Sequence, residues 1–428
     1  MQNTEDHSKK VILFSLGTRG DMEPFLSIAL LLKSRGYSVI CSMPEQFRKM
    51  VEETDLQFYG LSRQFLEAQK SKSFKRFIER KGFFIKRIRN NIQLFKESKE
   101  IMVDILAQQH ELVLNEKPDF ILYSAKCSYA ILWGMANLGK TVLVIPKPCL
   151  IHKVDEHPPV GVKLNLSKTC NRWLYERVNS GIARYMFNET KKYHNLYPLA
   201  KASKNNIKDY LVNKEKIIYS FSPSLFKKPA YWPDQAKVLG YRERQKIDFW
   251  KPSEQLLQFL DTHTKIFFIT FGSLVTTDSE KKTDLIFKVV SKLNIPAIIN
   301  SSSGGLIPPD KTPENVYFVK DIPYEWIFPK MYAVIHHGGA GTTHAALKFG
   351  CACMVIPHAF DQFFWNKIVS GLKVGPVGIP VKKINEKILL KKMADLWENE
   401  NYKRRAKNIA SEMTKENFEN EILEFIEN

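Results

Sequence analysis

The stretch that decides the fold is residues 332–350, which read YAVIHHGGAGTTHAALKFG. The apolar run at 332–336 predicts a buried strand, and the segment after the glycines predicts a helix that ends at Gly350. Glycines between a strand and a helix N-terminus leave several backbone N–H groups exposed, and the helix dipole adds partial positive charge. His337 and two threonines supply further donors. The pattern predicts a diphosphate cradle without a Walker lysine; the alternative is a glycine turn that only permits close packing.

Apolar runs of strand length alternate with amphipathic helical stretches along the whole chain. Such strands, spaced by helices, predict parallel sheets that are covered on both faces. We therefore predict an α/β protein with two Rossmann-like, doubly wound domains, 1–232 and 251–428, that face each other across a cleft. A segment rich in proline and aromatic residues predicts a linker at 233–250. The predicted strands form two series, 11–16, 37–42, 119–123 and 141–145, then 266–271, 296–300, 316–319, 332–336 and 352–356.

Polar residues follow several of these strands, at the edge where open parallel sheets bind ligands. Asp21, in the loop at 17–24, is either the N-cap of the next helix or a general base at the edge of the cleft. Asp361 is either the N-cap of the following helix or, together with Gln362, binds two neighbouring hydroxyls of a sugar. Ser273 follows a glycine and can offer a hydroxyl to a phosphate.

The composition excludes several classes of protein. A hydrophobic fraction of 44% with 25% charged residues excludes a mainly disordered chain. Six cysteines without C-x-x-C spacing exclude a disulfide scaffold and disfavour a metal site, and they favour a reducing compartment. Residues 1–10 are polar and unlike a secretory signal, and no apolar run approaches the ~20 residues that span a bilayer. We therefore expect a cytoplasmic protein.

The net charge of +19 is concentrated in residues 61–100, which hold 12 Lys and Arg against 4 Asp and Glu. No finger, RRM-like or basic-arm motif accompanies this charge, so we expect no nucleic-acid partner. Residues 74–95 predict a basic amphipathic helix. It either lies peripherally on an anionic membrane or packs on its own domain with a solvated basic face.

Several motifs, taken together, resemble the family 1 glycosyltransferases of GT-B fold. Within that family the chain is most similar to the branch of sterol glucosyltransferases and antibiotic glycosyltransferases of the vancomycin and macrolide type. The resemblance runs nearly end to end. It rests on residues 17–24, 238–241, 271–273, 322–329, 336–343 and 361–365.

The resemblance implies a role for each matching residue. Asp21 corresponds to the carboxylate that activates the acceptor. Trp326 corresponds to the aromatic ring against the nucleotide base, with the backbone of Ile322 beside it. The diphosphate is implied to lie against His337, Gly339, Gly341 and Thr342, with Ser273 and Thr18 on the phosphate side. Asp361 and Gln362 correspond to the pair that holds the hydroxyls of the donor sugar.

This resemblance implies an inverting transfer of a hexose, with UDP-glucose as the expected donor, to a hydroxyl of a hydrophobic small molecule. It implies no cofactor beyond the sugar nucleotide, and no D-x-D metal motif is present. It also implies that the last helix, at about 406–428, crosses back to the first domain. Two alternatives stay open: transfer to a membrane lipid at the bilayer surface, and a non-catalytic relic that binds a nucleotide sugar.

Overall fold

The computed structural model describes residues 8–70, 84–162, 166–244, 250–271, 279–301, 306–308 and 312–428. Within them the chain forms two parallel sheets, which confirms the predicted α/β architecture. The first sheet contains β1 Lys10–Phe14, β2 Ser38–Pro44, β3 Gln57–Leu61, β4 Phe120–Tyr123, β5 Thr141–Ile145, β6 Lys216–Tyr219 and β7 Ala236–Val238. The second contains β8 Phe267–Thr270, β9 Ala297–Asn300, β10 Val316–Val319, β11 Ala333–His336 and β12 Ala352–Val355.

Helices connect the strands and cover the faces of both sheets. In the first half they are α1 Arg19–Ser34, α2 Arg48–Glu52, α3 Gln64–Lys70, α4 Phe84–Glu116, α5 Ser128–Ala136, α6 Lys168–Thr190 and α7 Lys204–Asp209. In the second half they are α8 Glu254–Thr262, α9 Ser279–Lys292, α10 Tyr324–Ile327, α11 Ala340–Lys348, α12 Gln362–Gly371, α13 Glu386–Glu398, α14 Glu400–Thr414 and α15 Glu419–Glu427. Among the described residues, none of these helices is long and apolar enough to cross a membrane.

The order of the strands places a crevice at one edge of each sheet. The first sheet has the order β3-β2-β1-β4-β5-β6-β7 and the second β10-β9-β8-β11-β12, with every neighbouring pair parallel. The direction of winding therefore reverses between β1 and β4, and again between β8 and β11. Ligands of such sheets bind beyond the carboxyl ends of the strands at these reversals.

Three strands were not predicted from the sequence. β3, β6 and β7 are short or lie toward a sheet edge, and β3 and β7 keep partly exposed residues, so none shows a long apolar run. β7 lies inside the predicted linker at 233–250, yet its residues pair with β6 through Ile217 with Ala236 and Tyr219 with Val238. These three residues belong to the first sheet, which corrects the predicted start of the linker.

The predicted basic helix at 74–95 is described only in its second part, residues 84–95, which are helical. Residues 71–83 lie outside the described residues, and α4 begins at Phe84 and continues for 33 residues. Neither alternative for this segment, contact with a membrane or packing on its own domain with a solvated basic face, is decided by the described residues, and membrane contact stays a prediction.

The last helix, α15, packs on the first domain although it follows the whole second domain in the chain. Ile422, Phe425 and Ile426 are buried in the same apolar cluster as Val11 and α1. Glu427 accepts hydrogen bonds from Lys9, at 2.7 Å, and from the hydroxyl of Tyr37. The chain thus passes between the two domains twice.

A second set of contacts fixes the two halves beside the cleft. The Ser222 amide donates to Nε2 of His344 at 3.0 Å, and Nδ1 of the same ring lies 2.7 Å from the Ala340 carbonyl. Nε2 is therefore the acceptor and Nδ1 the donor. Tyr241 stacks on this ring with the centroids 4.5 Å apart. Since His344 is completely buried, the contact is a permanent part of the domain junction.

Candidate active site

The loops at the two chain reversals face each other and carry the charged groups of the site. Asp21 follows β1, Lys126 follows β4, and Lys147 follows β5 in the first domain. His337 follows β11 and Asp361 follows β12 in the second. The parallel register brings the carboxyl ends of these strands to one edge of each sheet.

Asp21 lies in the first turn of α1, and its two oxygens have different partners. Oδ2 accepts from the amide of Thr18 at 2.8 Å and from its hydroxyl at 3.2 Å. Thr18 is the N-cap residue and Asp21 the third residue of the helix, so Asp21 caps α1 as part of a capping box and not as the predicted N-cap. Oδ1 lies 3.2 Å from Nζ of Lys126, which the sequence did not single out. Burial would raise the pKa of Asp21, but Lys126, Lys147 and the Thr18 amide outweigh it and hold that pKa below its ordinary value. Asp21 is therefore ionised at neutral pH.

Gly17 is required by the position of this carboxylate. Its φ of +143° lies in the region that favours glycine, and a Cβ added there would come within 2.1 Å of Asp21 Oδ2. Nζ of Lys126 would lie 2.6 Å from the same Cβ. A side chain at position 17 would thus displace the carboxylate from its present place.

Lys147 joins the two domains across the cleft. Its Nζ lies 3.6 Å from Oδ1 of Asp361, and both side chains are largely buried. Asp361 raises the pKa of Lys147 above its ordinary value despite burial, and Asp21 adds to this rise. The ammonium group of Lys147 thus attracts one carboxylate from each domain, that of Asp21 and that of Asp361. Sequence reasoning missed Lys147, although a cation directly after a buried strand, between two prolines, was an available signal.

Asp361 does not use its side chain as a helix cap, although it stands at the N-cap position of α12. Its backbone is helical and its carboxylate makes no capping hydrogen bond, which leaves it free to face Lys147. Phe360, directly before it, has a φ of +51°, an unfavourable value for a residue with a large side chain. Such local strain is typical of functional loops.

Gln362 is buried and holds the loop that precedes it. Its Oε1 accepts from the amides of His358, at 2.6 Å, and Ala359, at 2.9 Å. Because both lone pairs of this oxygen are used inside the loop, any contact of Gln362 with a sugar falls to its amide nitrogen.

The glycine-rich turn has the geometry of an anion site. The first intrahelical bond of α11 runs from the amide of Thr343 to the carbonyl of Gly339 at 3.0 Å. The amides of Ala340, Gly341 and Thr342 therefore precede the helical ladder and point toward its N-terminus. The hydroxyl of Thr343 is not available, because it donates to Gly339 at 2.8 Å. Gly338 has a φ of +91°, and a Cβ there would lie 2.5 Å from Val355.

His337 lies beside this turn, half-buried, with the Nε2 atom 2.6 Å from the Cβ position that Gly339 leaves empty. Burial lowers its pKa to about 4, although Asp361 and the carbonyl of Thr270 act in the opposite direction. The imidazole is therefore neutral at neutral pH and can donate one hydrogen bond.

The remaining predicted residues surround the same edge. Trp326 on α10 is half-buried, with the Trp250 ring 4.8 Å away and Nζ of Lys330 4.3 Å from its centroid. Ile322 is 5% exposed and precedes α10. Ser273 lies outside the described residues. Whether Trp326 and Ile322 hold a base stays a prediction.

Burial keeps an unusual number of histidines neutral, and this leads to a prediction of acid sensitivity. Burial lowers the pKa of the following residues: His152, His157, His337 and His344 to about 4, and His336 and His358 to about 3.

These histidines take up protons only on unfolding as the pH falls below about 6.5. Their contribution to stability is complete above pH 6.5 and is lost progressively toward their folded pKa values. Within that window, each of these histidines lowers the free energy of unfolding by about 1.4 kcal/mol for every unit by which the pH falls. We expect the melting temperature, followed by circular dichroism, to fall steeply from pH 6.5 to pH 4.5. A constant melting temperature over this range would contradict the neutral, buried state of these rings.

Comparison with known families matches each half of the chain. The family model "Glycosyltransferase family 28 N-terminal domain" matches residues 11–113, and "Erythromycin biosynthesis protein CIII-like, C-terminal domain" matches residues 290–428. The chain belongs to the GT-B glycosyltransferases. The two matched segments of this GT-B glycosyltransferase contain Asp21 and the whole glycine-rich turn.

Curated relatives and solved structures agree with this assignment. The chain is 28% identical over 395 residues to sterol 3-beta-glucosyltransferase UGT80A2 of Arabidopsis thaliana, covering 88% of this chain and 59% of the relative. It is 24% identical over 435 residues to the sterol 3-beta-glucosyltransferase of Komagataella phaffii, covering 95% and 33%. This GT-B glycosyltransferase therefore spans between one third and three fifths of the length of these relatives.

The structural neighbours have the same two-domain fold at low sequence identity. The glycotransferase of kitacinnamycin aligns with a TM-score of 0.72 at 16% identity, over 98% of each chain. The calicheamicin glycosyltransferase CalG4 aligns with a TM-score of 0.68 at 14% identity, over 98% of this chain and 97% of the other. These likenesses confirm the GT-B fold of the chain.

Proposed function

We propose that the chain transfers a hexose from a UDP-sugar, with glucose as the expected sugar, to a hydroxyl of a hydrophobic acceptor such as a sterol. The observation that carries the proposal is the convergence of Asp21 and Asp361, one from each domain, on the ammonium of Lys147. A base and a sugar-binding carboxylate thus face the same small volume. The names of the curated relatives favour a sterol as the acceptor.

The proposed reaction is a single displacement. Asp21 accepts the proton of the acceptor hydroxyl while its oxygen bonds to the anomeric carbon and the bond from that carbon to the diphosphate breaks. Attack from the face opposite the leaving group inverts the anomeric centre. The lowered pKa of Asp21 makes it a weak base, so proton transfer accompanies attack rather than preceding it.

The second domain is proposed to stabilise the leaving diphosphate. Free amides at the start of α11, the dipole of this helix and the neutral imidazole of His337 provide donors for the charge that develops on the leaving oxygen. Because these groups are already in position, we expect turnover to persist in the presence of a chelator.

Replacing His337 by Ala is expected to weaken UDP binding about tenfold, since one hydrogen bond to a charged group is lost. Isothermal titration calorimetry with UDP measures the change. His263→Ala is the matched control, because His263 lies at the end of α8, away from the glycine-rich turn. Equal UDP affinity in the His337 variant and the wild type would remove this residue from the diphosphate site.

The proposed reaction is tested by incubating the protein with UDP-glucose and a panel of sterols, flavonoids, macrolides and lipids. The readout is the mass shift of the acceptor, with and without chelator. Glycosylation of a sterol supports the proposal, and glycosylation of lipids alone favours the membrane-lipid alternative. UDP binding without transfer to any acceptor or to water favours the non-catalytic alternative.

Contact with an anionic membrane is a separate proposal that rests on the charge of residues 61–100. We expect the protein to sediment with anionic vesicles at low salt and to be released at high salt, because electrostatic attraction is screened. Sedimentation that is equal with neutral vesicles would contradict an electrostatic contact.

A further inference from the structure

Three imidazoles at the carboxyl edge of the second sheet each have at least one ring nitrogen without a hydrogen-bond partner among the described residues. Buried side chains of the described residues leave fourteen polar atoms without a partner, and four of these atoms lie on His336, His337 and His358. Neighbouring rings in this group have centroids 6.5 Å apart, for His336 with His337 and for His337 with His358. The concentration of unpaired ring nitrogens at one edge indicates that the partner is a ligand.

His358 is the member of this group that neither the sequence motifs nor the proposed reaction uses. Its side chain is 8% exposed, and both Nδ1 and Nε2 lack a partner among the described residues. The ring packs edge to face against Phe271, which follows β8, with the centroids 5.2 Å apart. It therefore lies at the chain reversal of the second sheet, between the loop after β8 and His337.

The backbone around His358 is held firmly in this position. Its amide donates to Oε1 of Gln362, and the Gln362 amide donates back to the carbonyl of Ala359 at 3.2 Å. The ring is fixed in this way and packs against Phe271, but its two nitrogens make no hydrogen bond with the described residues. A phenylalanine ring would fill the same space without leaving buried polar atoms unpaired.

The protonation state of His358 suits a neutral donor. Burial lowers its pKa to about 3, and the neighbouring His337 and Lys282 lower it further. At neutral pH the ring therefore carries one N–H donor and one acceptor nitrogen. The nitrogen that carries the proton can donate one hydrogen bond to a phosphate oxygen.

We propose that His358 donates a hydrogen bond to the diphosphate of the sugar nucleotide, so that His337, after β11, and His358, after β12, both hold this group at the chain reversal. The inference rests on the proposed function, and it assigns to this chain a donor-binding residue outside the matched motifs. The diphosphate is the fitting partner, because His358 lies beside His337 and the amides of the glycine-rich turn at the same edge of the sheet.

The test compares His358→Phe and His358→Gln with the wild type by calorimetry, using UDP and uridine as probes. We expect His358→Phe to weaken UDP binding about tenfold and to leave the weak binding of uridine unchanged, because uridine lacks the phosphates. His358→Gln retains an N–H donor and is expected to recover part of the loss. Thermal unfolding is measured in parallel, and the melting temperature of His358→Phe is expected to equal or exceed that of the wild type.

Opposite changes in stability and affinity would separate a ligand-binding ring from a structural one. Unchanged UDP affinity in His358→Phe, or an equal loss for UDP and uridine, would overturn this inference alone. A lower melting temperature in both variants would also overturn it, because the ring would then stabilise the fold. Failure of the wild type to bind UDP would overturn the proposed function together with this inference.

Discussion

Replacing Asp21 by Asn is expected to lower turnover by about 10²–10⁴-fold, the usual contribution of a general base. Asn keeps an oxygen that can accept the Thr18 amide, so the start of α1 is expected to remain capped. UDP binding is expected to change little, because the diphosphate site lies in the other domain. Single-turnover kinetics with UDP-glucose and an identified acceptor measure the chemical step directly.

The matched control is the loss of a helix cap elsewhere. Asn385 caps α13 by accepting from the Ile388 amide at 3.0 Å, and Asn385→Ala is expected to cost about 1 kcal/mol of stability without affecting turnover. Turnover in the Asp21 variant within about tenfold of the wild type would assign Asp21 to capping alone.

Replacing Asp361 by Ala is expected to lower kcat/KM for UDP-glucose by about 10²–10³-fold while UDP affinity is retained. Two hydrogen bonds from sugar hydroxyls to a charged group would be lost, each with a substantial contribution to binding. Steady-state kinetics with UDP-glucose and calorimetry with UDP separate loss of the sugar contact from damage to the whole nucleotide site.

Lys147→Met separates two explanations of this result. It removes the ion pair across the cleft but leaves the carboxylate of Asp361 in place. If the sugar contact is responsible, Lys147→Met lowers kcat/KM for UDP-glucose by less than Asp361→Ala does. Equal losses in both variants would mean that the ion pair, rather than the sugar contact, accounts for the effect.

Local sequence patterns were sufficient to predict most of the sheet architecture. Strands such as β5 and β11 are apolar apart from one terminal residue, Thr141 or His336, and are buried throughout, so they stand out from the helices that separate them. β7 could not be found in this way, because three residues at a sheet edge carry no period and lie in a proline-rich segment.

The candidate site was harder to predict, because the partners of its charged side chains are brought together only by the folded chain. Asp21 and Asp361 each allowed a capping interpretation, and only the structure distinguishes them: the first caps its helix and the second does not. The roles of Lys126 and Lys147 depend on carboxylates more than 100 residues away in the chain. No local pattern encodes such contacts, since the first arises when β1 and β4 pair within one domain and the second when the two domains face each other.

The return of α15 to the first domain has a consequence for biosynthesis. On a translating ribosome the front half of the polypeptide emerges first, but the apolar strip that receives Ile422, Phe425 and Ile426 stays uncovered until the entire rear half has followed. The nascent protein therefore exposes an apolar surface on its first domain until α15 has been synthesised. Chaperones that bind such surfaces can act during this interval, and residues 419–427 complete the half that was made first.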